Sequence, residues 1–226
     1  MRAIKCIAVV FFIGIFTTAA QSGYIRGGNY NRLGLQAKYA VLDINTDEIS
    51  VESKEGLLGG FATRSRVFNN FGLVYGIDFL ISNLEIDSRA LGQTVFEPAE
   101  FSIIGAEVNL LLSYNVLEQH LAVDFGPSLL INSNLRVRND GQRDNIIAGF
   151  NSLTAQDITE ISRVTPLLSV ALAGGFESVR FTIQYQYGLT NTLNNLNSRN
   201  LEQIDATVED FNGNISIFAA GIVFYL

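Results

Sequence analysis

From Asn214 to Leu226 the side chains fall into two alternating sets, and from Phe218 onward the even set, Phe218, Ala220, Ile222, Phe224 and Leu226, is wholly apolar. Alternation with period 2 is the mark of an extended strand, whose successive side chains point to opposite faces. A face without a single polar group suits a surface that water does not reach. Strands occupy such a surface only when every backbone N–H and C=O is paired, which requires the sheet to close on itself. The final Gly221-x-x-Phe224-x-Leu226 is the ending expected of a strand that closes a β-barrel in a membrane.

Seven earlier segments repeat the pattern. The first sets Leu33, Leu35, Ala37, Tyr39 and Val41 against Gly34, Gln36, Lys38 and Ala40. The second, near 57–67, alternates Phe61 and Val67 with Ala62, Arg64 and Arg66. The third is the most regular, with Phe71, Leu73, Tyr75, Ile77, Phe79 and Ile81 opposing Gly72, Val74, Gly76, Asp78 and Ser82. In the fourth, Ile104, Ala106, Val108, Leu110, Leu112 and Tyr114 oppose Gly105, Glu107, Asn109 and Ser113. The fifth sets Leu121, Val123, Phe125, Pro127, Leu129 and Ile131 against Ala122, Asp124, Gly126, Ser128 and Asn132. The sixth has Val164, Pro166, Leu168, Val170 and Leu172 backed by Ser169, Ala171 and Ala173. The seventh pairs Val179, Phe181, Ile183, Tyr185, Tyr187 and Leu189 with Arg180, Thr182, Gln184, Gln186 and Gly188.

The connections alternate in length, which is an independent signal. After segments 2, 4 and 6 they are short, at Phe68–Asn70, Asn115–His120 and Glu177-Ser178. After segments 1, 3, 5 and 7 they are long and polar, covering about 43–56, 83–100, 133–161 and 190–213. Short turns on one side and long loops on the other are the habit of outer-membrane barrels, with turns in the periplasm and loops outside. A soluble barrel or sandwich also alternates, but its outward face would be the polar one. Here the polar sets are small and glycine-rich, whereas the apolar sets carry almost no charge. They also reach the roughly 9–11 residues that a tilted strand needs to cross a bilayer. The sequence therefore predicts an all-β fold over residues 21–226: an eight-stranded, antiparallel, up-and-down transmembrane barrel. Aromatic Phe71, Tyr114, Phe176 and Phe224 lie near the short-turn ends, where an interfacial girdle belongs.

Residues 1–20 have the parts of a secretory signal peptide: Arg2 and Lys5, an apolar run from Cys6 to Phe16, and small Thr18 and Ala20 before Gln21. The apolar run is well short of the roughly 20 residues of a helical span. Cleavage after Ala20 removes Cys6, and with it any disulfide, thiolate nucleophile or cysteine metal site. Of 15 Lys and Arg, losing Arg2 and Lys5 leaves 13 against 22 acidic residues, a formal net charge of −9, so nucleic acid is not an expected partner. The expected location is the outer membrane of a Gram-negative cell.

The strands Phe71–Ile81 and Phe101–Tyr114, the segment Phe125-Gly126-Pro127 and the run Ala173-Gly174-Gly175-Phe176 resemble the PorT-like small outer-membrane barrels of Bacteroidota. The ending resembles the signal read by the barrel-assembly machinery, carried here by Gly221, Phe224 and Leu226. Ala219 stands where that pattern has a polar residue, and Leu226 where it more often has Phe. The resemblance implies a barrel and does not imply an activity. The family includes one member required for protein secretion through the type IX system, so the resemblance implies a secretion-accessory role as one of the alternatives.

If the apolar sets face lipid, the opposite sets fill the lumen, bringing Lys38, Arg64, Arg66 and Arg180 beside Asp78, Glu107 and Asp124. Eight strands leave an interior that side chains can fill, so these charges are expected to pair as a plug. The alternative is a narrow polar conduit whose lumen charges set selectivity. Catalysis needs a nucleophile with a base, or a metal. The single His120 falls in a short turn, and Asp43-x-Asn45-x-Asp47 departs from a calcium loop, with Glu48 at the glycine position and Lys54 at that of the bidentate Glu. No enzyme activity, cofactor or metal is expected. The expected role is that of a monomeric scaffold or interaction protein, meeting outer-membrane lipid around its wall and protein partners through loops 133–161 and 190–213. The latter hold the cluster Asn191, Asn194, Asn195, Asn197 and Asn200.

Overall fold

The structure, a computed structural model, describes residues 31–226 apart from 118 and 119. The signal segment at 1–20 and the Gly23–Tyr30 stretch lie outside the described residues. Ten strands follow in order: β1 (Asn31–Thr46), β2 (Val51–Phe68), β3 (Phe71–Arg89), β4 (Glu97–Leu117), β5 (Leu121–Asn132), β6 (Arg136–Val137), β7 (Ile146–Ile147), β8 (Val164–Gly175), β9 (Val179–Gly188) and β10 (Gly213–Tyr225). One short helix, α1 (Asn194–Asn197), lies between β9 and β10.

Eight of the strands pair antiparallel with their neighbours in a closed ring, β1-β2-β3-β4-β5-β8-β9-β10, with β10 returning to β1. The closing seam runs from Gly34↔Tyr225 to Thr46↔Gly213 without a register shift. Leu226 N–H then donates to Leu33 C=O at 2.9 Å, so the ladder is sealed to its last residue. All eight alternating segments of the sequence are ring strands, and each faces as its apolar set requires. Leu35, Phe61, Phe79, Leu110, Phe125, Leu168, Phe181 and Phe218 point outward and are exposed, while Lys38, Arg64, Asp78, Glu107, Asp124 and Arg180 point inward and are buried.

The short connections stand where the sequence puts them. Asn69 takes a left-handed φ of 48° in the β2–β3 turn, and the Phe71 and Tyr114 rings meet at 5.2 Å just beyond it. Two of the expected long loops are corrected. In place of 43–56 and 83–100, only 47–50 and 90–96 lie outside strands, because β1 to β4 run well past the apolar belt.

The physical reason is that the alternation continues with its faces exchanged. On β3 the outward set changes from Phe79 and Ile81 to Asn83, Glu85 and Asp87, and the inward set from Asp78 to Leu80, Leu84 and Ile86. On β1 the outward set passes from Val41 to Asp43 and Asn45, while Ala40, Leu42 and Ile44 turn inward. On β4 Ser102 and Glu100 face out and Ala99, Phe101 and Ile103 face in. Below the exchange the ring is polar inside and apolar outside; above it the ring is built like a water-soluble protein.

Loops 133–163 and 189–212 fold over the open end as a cap. Leu135, Val137, Ile147, Leu153, Ile158 and Ile161 from the first, and Leu193, Leu196, Leu201 and Phe211 from the second, form one core with Leu42, Leu84, Phe101 and Ile215 of the ring. Strand β6 pairs with β4 and β7 with β3, tying the first loop to the wall. Neither short strand is legible in the sequence, since two residues carry no period.

Ring closure puts Gly221 directly across the seam from Lys38, where an added Cβ would lie 2.1 Å from Ala37 O and 2.4 Å from Lys38 Cα. Both contacts are with backbone, so neither yields by rotating a side chain. Gly221→Val is therefore expected to prevent seam closure, and the fraction of protein showing a heat-dependent shift in gel mobility should fall sharply. Leu226→Phe touches no such contact and should leave that fraction unchanged.

Candidate functional site

The lumen beneath the cap holds a polar network to which all eight ring strands contribute. Near the short turns, Arg64 of β2 grips Asp124 of β5 with both arms of its guanidinium, Nη1 to Oδ1 at 3.0 Å and Nη2 to Oδ2 at 2.5 Å. Arg64 Nη1 also donates to Ser113 Oγ on β4, and Nε to Tyr225 Oη on β10 at 3.4 Å. Forked pairing of this kind is the strongest arrangement open to an arginine and a carboxylate.

One step toward the cap, Asp78 of β3 accepts from Gln36 Nε2 at 2.7 and 2.8 Å, from Asn109 Nδ2 at 3.3 Å and from Lys38 Nζ at 3.4 Å. Lys38 Nζ also donates to Gln184 Oε1 on β9 at 2.8 Å. Ser128 Oγ donates to Asn109 Oδ1 at 2.6 Å and meets Ser169 Oγ at 2.7 Å, which brings in β5 and β8. Glu107 stands opposite Asp78 across the β3–β4 pair and accepts from Gln186 Nε2 of β9. Arg180 is 1% exposed and faces the lumen beside Val223 and Gly175.

Of the seven charges that the sequence analysis expects in the lumen, Lys38, Arg64, Asp78, Glu107, Asp124 and Arg180 are buried on the inward face of the ring. Three are basic and three acidic, so their formal charges balance. Arg66 does not join them. It is exposed at the end of β2, where its Nε donates to Asn69 C=O at 2.8 Å and clasps the turn. The reason is position along the strand, since a register irregularity between Arg66 and Phe68 already belongs to the turn.

Sequence reasoning did not assign the neutral members Gln36, Asn109, Ser113, Gln184, Gln186 and Tyr225 to the network. Their inward parity was the available signal, and their need to satisfy buried charges is the physical reason they stand there. What space remains among Gln36, Lys38, Arg64, Asn109, Asp124 and Gln184 is a cavity of about 30 Å³, room for about one water molecule.

The other candidate residues have structural partners. His120 is exposed in its turn, with Nδ1 3.1 Å from Gly175 C=O and its ring edge-on to Phe176 at 6.2 Å. Asp43 accepts from Ser53 Oγ at 2.7 Å and Asn45 donates to Ser216 Oγ at 3.1 Å, pinning β1 to its two neighbours. Among the described residues no group of three or more His, Cys, Asp and Glu side chains is placed to hold a metal ion.

The asparagine cluster staples the cap. Asn191 Oδ1 accepts from the N–H groups of Leu193 and Gly213, Asn197 bonds both the N–H and the C=O of Phe211, and Asn195 donates to Ile161 C=O. Asp205 joins the two cap loops. Its carboxylate accepts from Asn151 N–H at 2.5 Å, Ser152 N–H at 2.7 Å, Thr207 N–H at 3.0 Å and Thr207 Oγ1 at 2.6 Å. The hydroxyl of Thr207 first, and then the backbone donors, hold this carboxyl well below the usual carboxylate range.

No protein-family model matches the chain, and no curated protein matches it. The PorT-like resemblance therefore rests on the residues that carry it. Solved structures to which the chain is similar include Neisserial surface protein A (13% identity, 86% of this chain and 97% of that chain, TM-score 0.48). Ail, the attachment invasion locus protein of Yersinia pestis, aligns at 8% identity over 87% and 97%, with a TM-score of 0.43. The outer membrane protein OprG from Pseudomonas aeruginosa aligns at 12% over 90% and 99%, with a TM-score of 0.46.

Two outcomes follow from this geometry. Asp124→Asn leaves the buried Arg64 without its counter-charge and should cost about 3–5 kcal/mol in denaturant unfolding of the micelle-embedded barrel, whereas Arg64→Met with Asp124→Leu should recover most of that loss. For Asp205 the depressed pKa means that its contribution is fully present above the ordinary aspartate value of about 4 and is lost as pH falls below it. Amide exchange at 151–153 and 204–207 should thus be equally slow, after correction for intrinsic rates, at pH 5 and 8 and accelerate in acid; Asp205→Asn should show the fast rates at every pH.

Proposed function

We propose that this chain is an integral outer-membrane β-barrel protein that works without enzymatic chemistry, as a monomeric anchor displaying a folded cap to partners outside the cell. The observation that carries the reading is the exchange of polar and apolar faces along continuous strands. A belt of exposed Leu, Ile, Val, Phe and Tyr encircles the ring only where the lumen is charged, and ends where the interior becomes apolar. Lipid is the solvent that suits such a belt, and its height matches strands of roughly 9–11 residues. Gly221, Phe224 and Leu226 are then the residues presented to the assembly machinery during insertion.

The anchor reading is favoured over a pore by what fills the ring. A charge-balanced, hydrogen-bonded network occupies the lower lumen, and the cap core lies directly above it. An ion on this path would have to break these pairs as it moved, and the apolar layer offers it no water. The surfaces left for partners are the exposed parts of 133–161 and 190–213, whose interior is committed to the cap core.

The test is made on the membrane fraction and in planar bilayers. The protein is expected in the outer-membrane fraction, with a gel shift on boiling and no unitary conductance after reconstitution. A soluble periplasmic protein without a shift would overturn the membrane reading. Stepwise currents that disappear on changing Glu107 would overturn the anchor in favour of a conduit.

A further inference from the structure

The β3–β4 hairpin ends in the segment Ala90-Leu91-Gly92-Gln93-Thr94-Val95-Phe96, which contains no charged residue. Every residue of it is exposed, and its three large apolar side chains strongly so: Leu91 80%, Val95 66% and Phe96 52%. The cap does not cover it. Strand β7 reaches β3 only at Ser88 and Arg89, and Gln142 reaches β4 only at Pro98 C=O. A single turn closes the tip, with Gln93 N–H donating to Ala90 C=O at 3.0 Å and Gly92 at a φ of +80°, a conformation that suits glycine.

The belt that faces the barrel's own membrane ends on β3 at Ile81, since Asn83, Glu85 and Asp87 follow on that face. The β3–β4 ladder continues without a bulge to Ser88↔Glu97. From Ile81 to Leu91, at about 3.3 Å per residue and a tilt near 40°, the tip stands roughly 25 Å beyond the edge of the hydrocarbon. Its own bilayer core does not account for these side chains.

At the base of the tip the Arg89 guanidinium lies 6.0 Å over the Phe96 ring. Among the described residues it has no carboxylate within 4.0 Å, whereas Arg138 pairs with Glu100 and Arg143 with Asp140. An uncharged convex apolar tip with an unpaired cation at its base matches a phospholipid interface, with aliphatic and aromatic groups below the headgroups and the guanidinium at phosphate level. A groove-shaped protein partner would also take the apolar side chains, but would leave the position of Arg89 unexplained. Asp87 and Glu97 flank the base and are both exposed, which opposes a strongly anionic surface.

We infer that the β3–β4 tip is a contact site for the phospholipid surface of an apposed membrane, inserting Leu91, Val95 and Phe96 with Arg89 on the phosphates and favouring zwitterionic over anionic lipid. The inference rests on the barrel reading above, which the gel shift tests separately.

The chain has no tryptophan, so Val95→Trp is a unique reporter at the tip. The full barrel is placed in nanodiscs, which satisfy its belt, and phosphatidylcholine vesicles are added. The expected result is co-flotation of nanodiscs with vesicles, a blue shift of the tryptophan emission, and quenching when the vesicles carry brominated acyl chains. In the protein without the reporter, Leu91→Ser with Phe96→Ser should lower partitioning by roughly tenfold or more, and Arg89→Gln should lower it less, each with the gel shift intact. Absence of flotation with unshifted emission would overturn the proposal and leave a protein as the occupant. Emission already blue-shifted before vesicles are added would overturn it differently, by placing the tip in the barrel's own bilayer. Flotation unchanged by the double serine variant would also overturn it.

Discussion

Everything in this molecule depends on the β1–β10 seam. In hydrocarbon an unpaired backbone N–H or C=O costs several kcal/mol, so a sheet with two free edges has no stable place there. The seam removes both edges at once, from Gly34↔Tyr225 to Thr46↔Gly213. It also fixes the strand register, and the register decides which side chains meet inside. Lys38 lies across the seam from Gly221, whose missing Cβ lets the two backbones approach, and the lysine side chain runs inward to Asp78 and Gln184.

On the membrane reading proposed above, two solvents around the closed ring set the rest. Beside lipid the outward face must be apolar, and the small interior takes the polar groups that complete the pleat. Their charges must then cancel within the lumen, as the balance of Lys38, Arg64 and Arg180 with Asp78, Glu107 and Asp124 provides. Beside water the requirement reverses, and the same strands carry Asp43, Glu85 and Glu100 outward over an apolar core. The cap loops are ordered because that core needs a lid. Leu153, Leu196 and Phe211 bury against the ring, while Asn191, Asn197 and Asp205 satisfy backbone groups that loops leave open. The β3–β4 tip is the place where this logic lapses, with apolar groups left in water.

Much of the ring was legible beforehand, because period 2 is a local property. Phe71–Ile81 and Val179–Leu189 declare their facing from side-chain order alone, and six lumen charges follow from parity. The sequence reading failed at two kinds of place. It ended β1 and β3 at Val41 and Ser82 because a reversal of polarity looks like the onset of a loop, although Leu84 and Ile86 continue the same phase with the faces exchanged. It also set Arg66 in the lumen, since parity tells which face a residue occupies but not how far along the axis the lumen extends.

By itself the sequence determined the fold class, the number of ring strands and the outward apolar set, because each follows from residue type and spacing along one strand. The tertiary structure alone decided which charges pair, that Glu107 stands against Asp78 with Gln186 reaching across to it, and that two polar loops enclose an apolar core. Those facts depend on the stagger between strands that lie far apart in the chain. Stagger is set by closing all eight around a ring, a condition that no single segment contains.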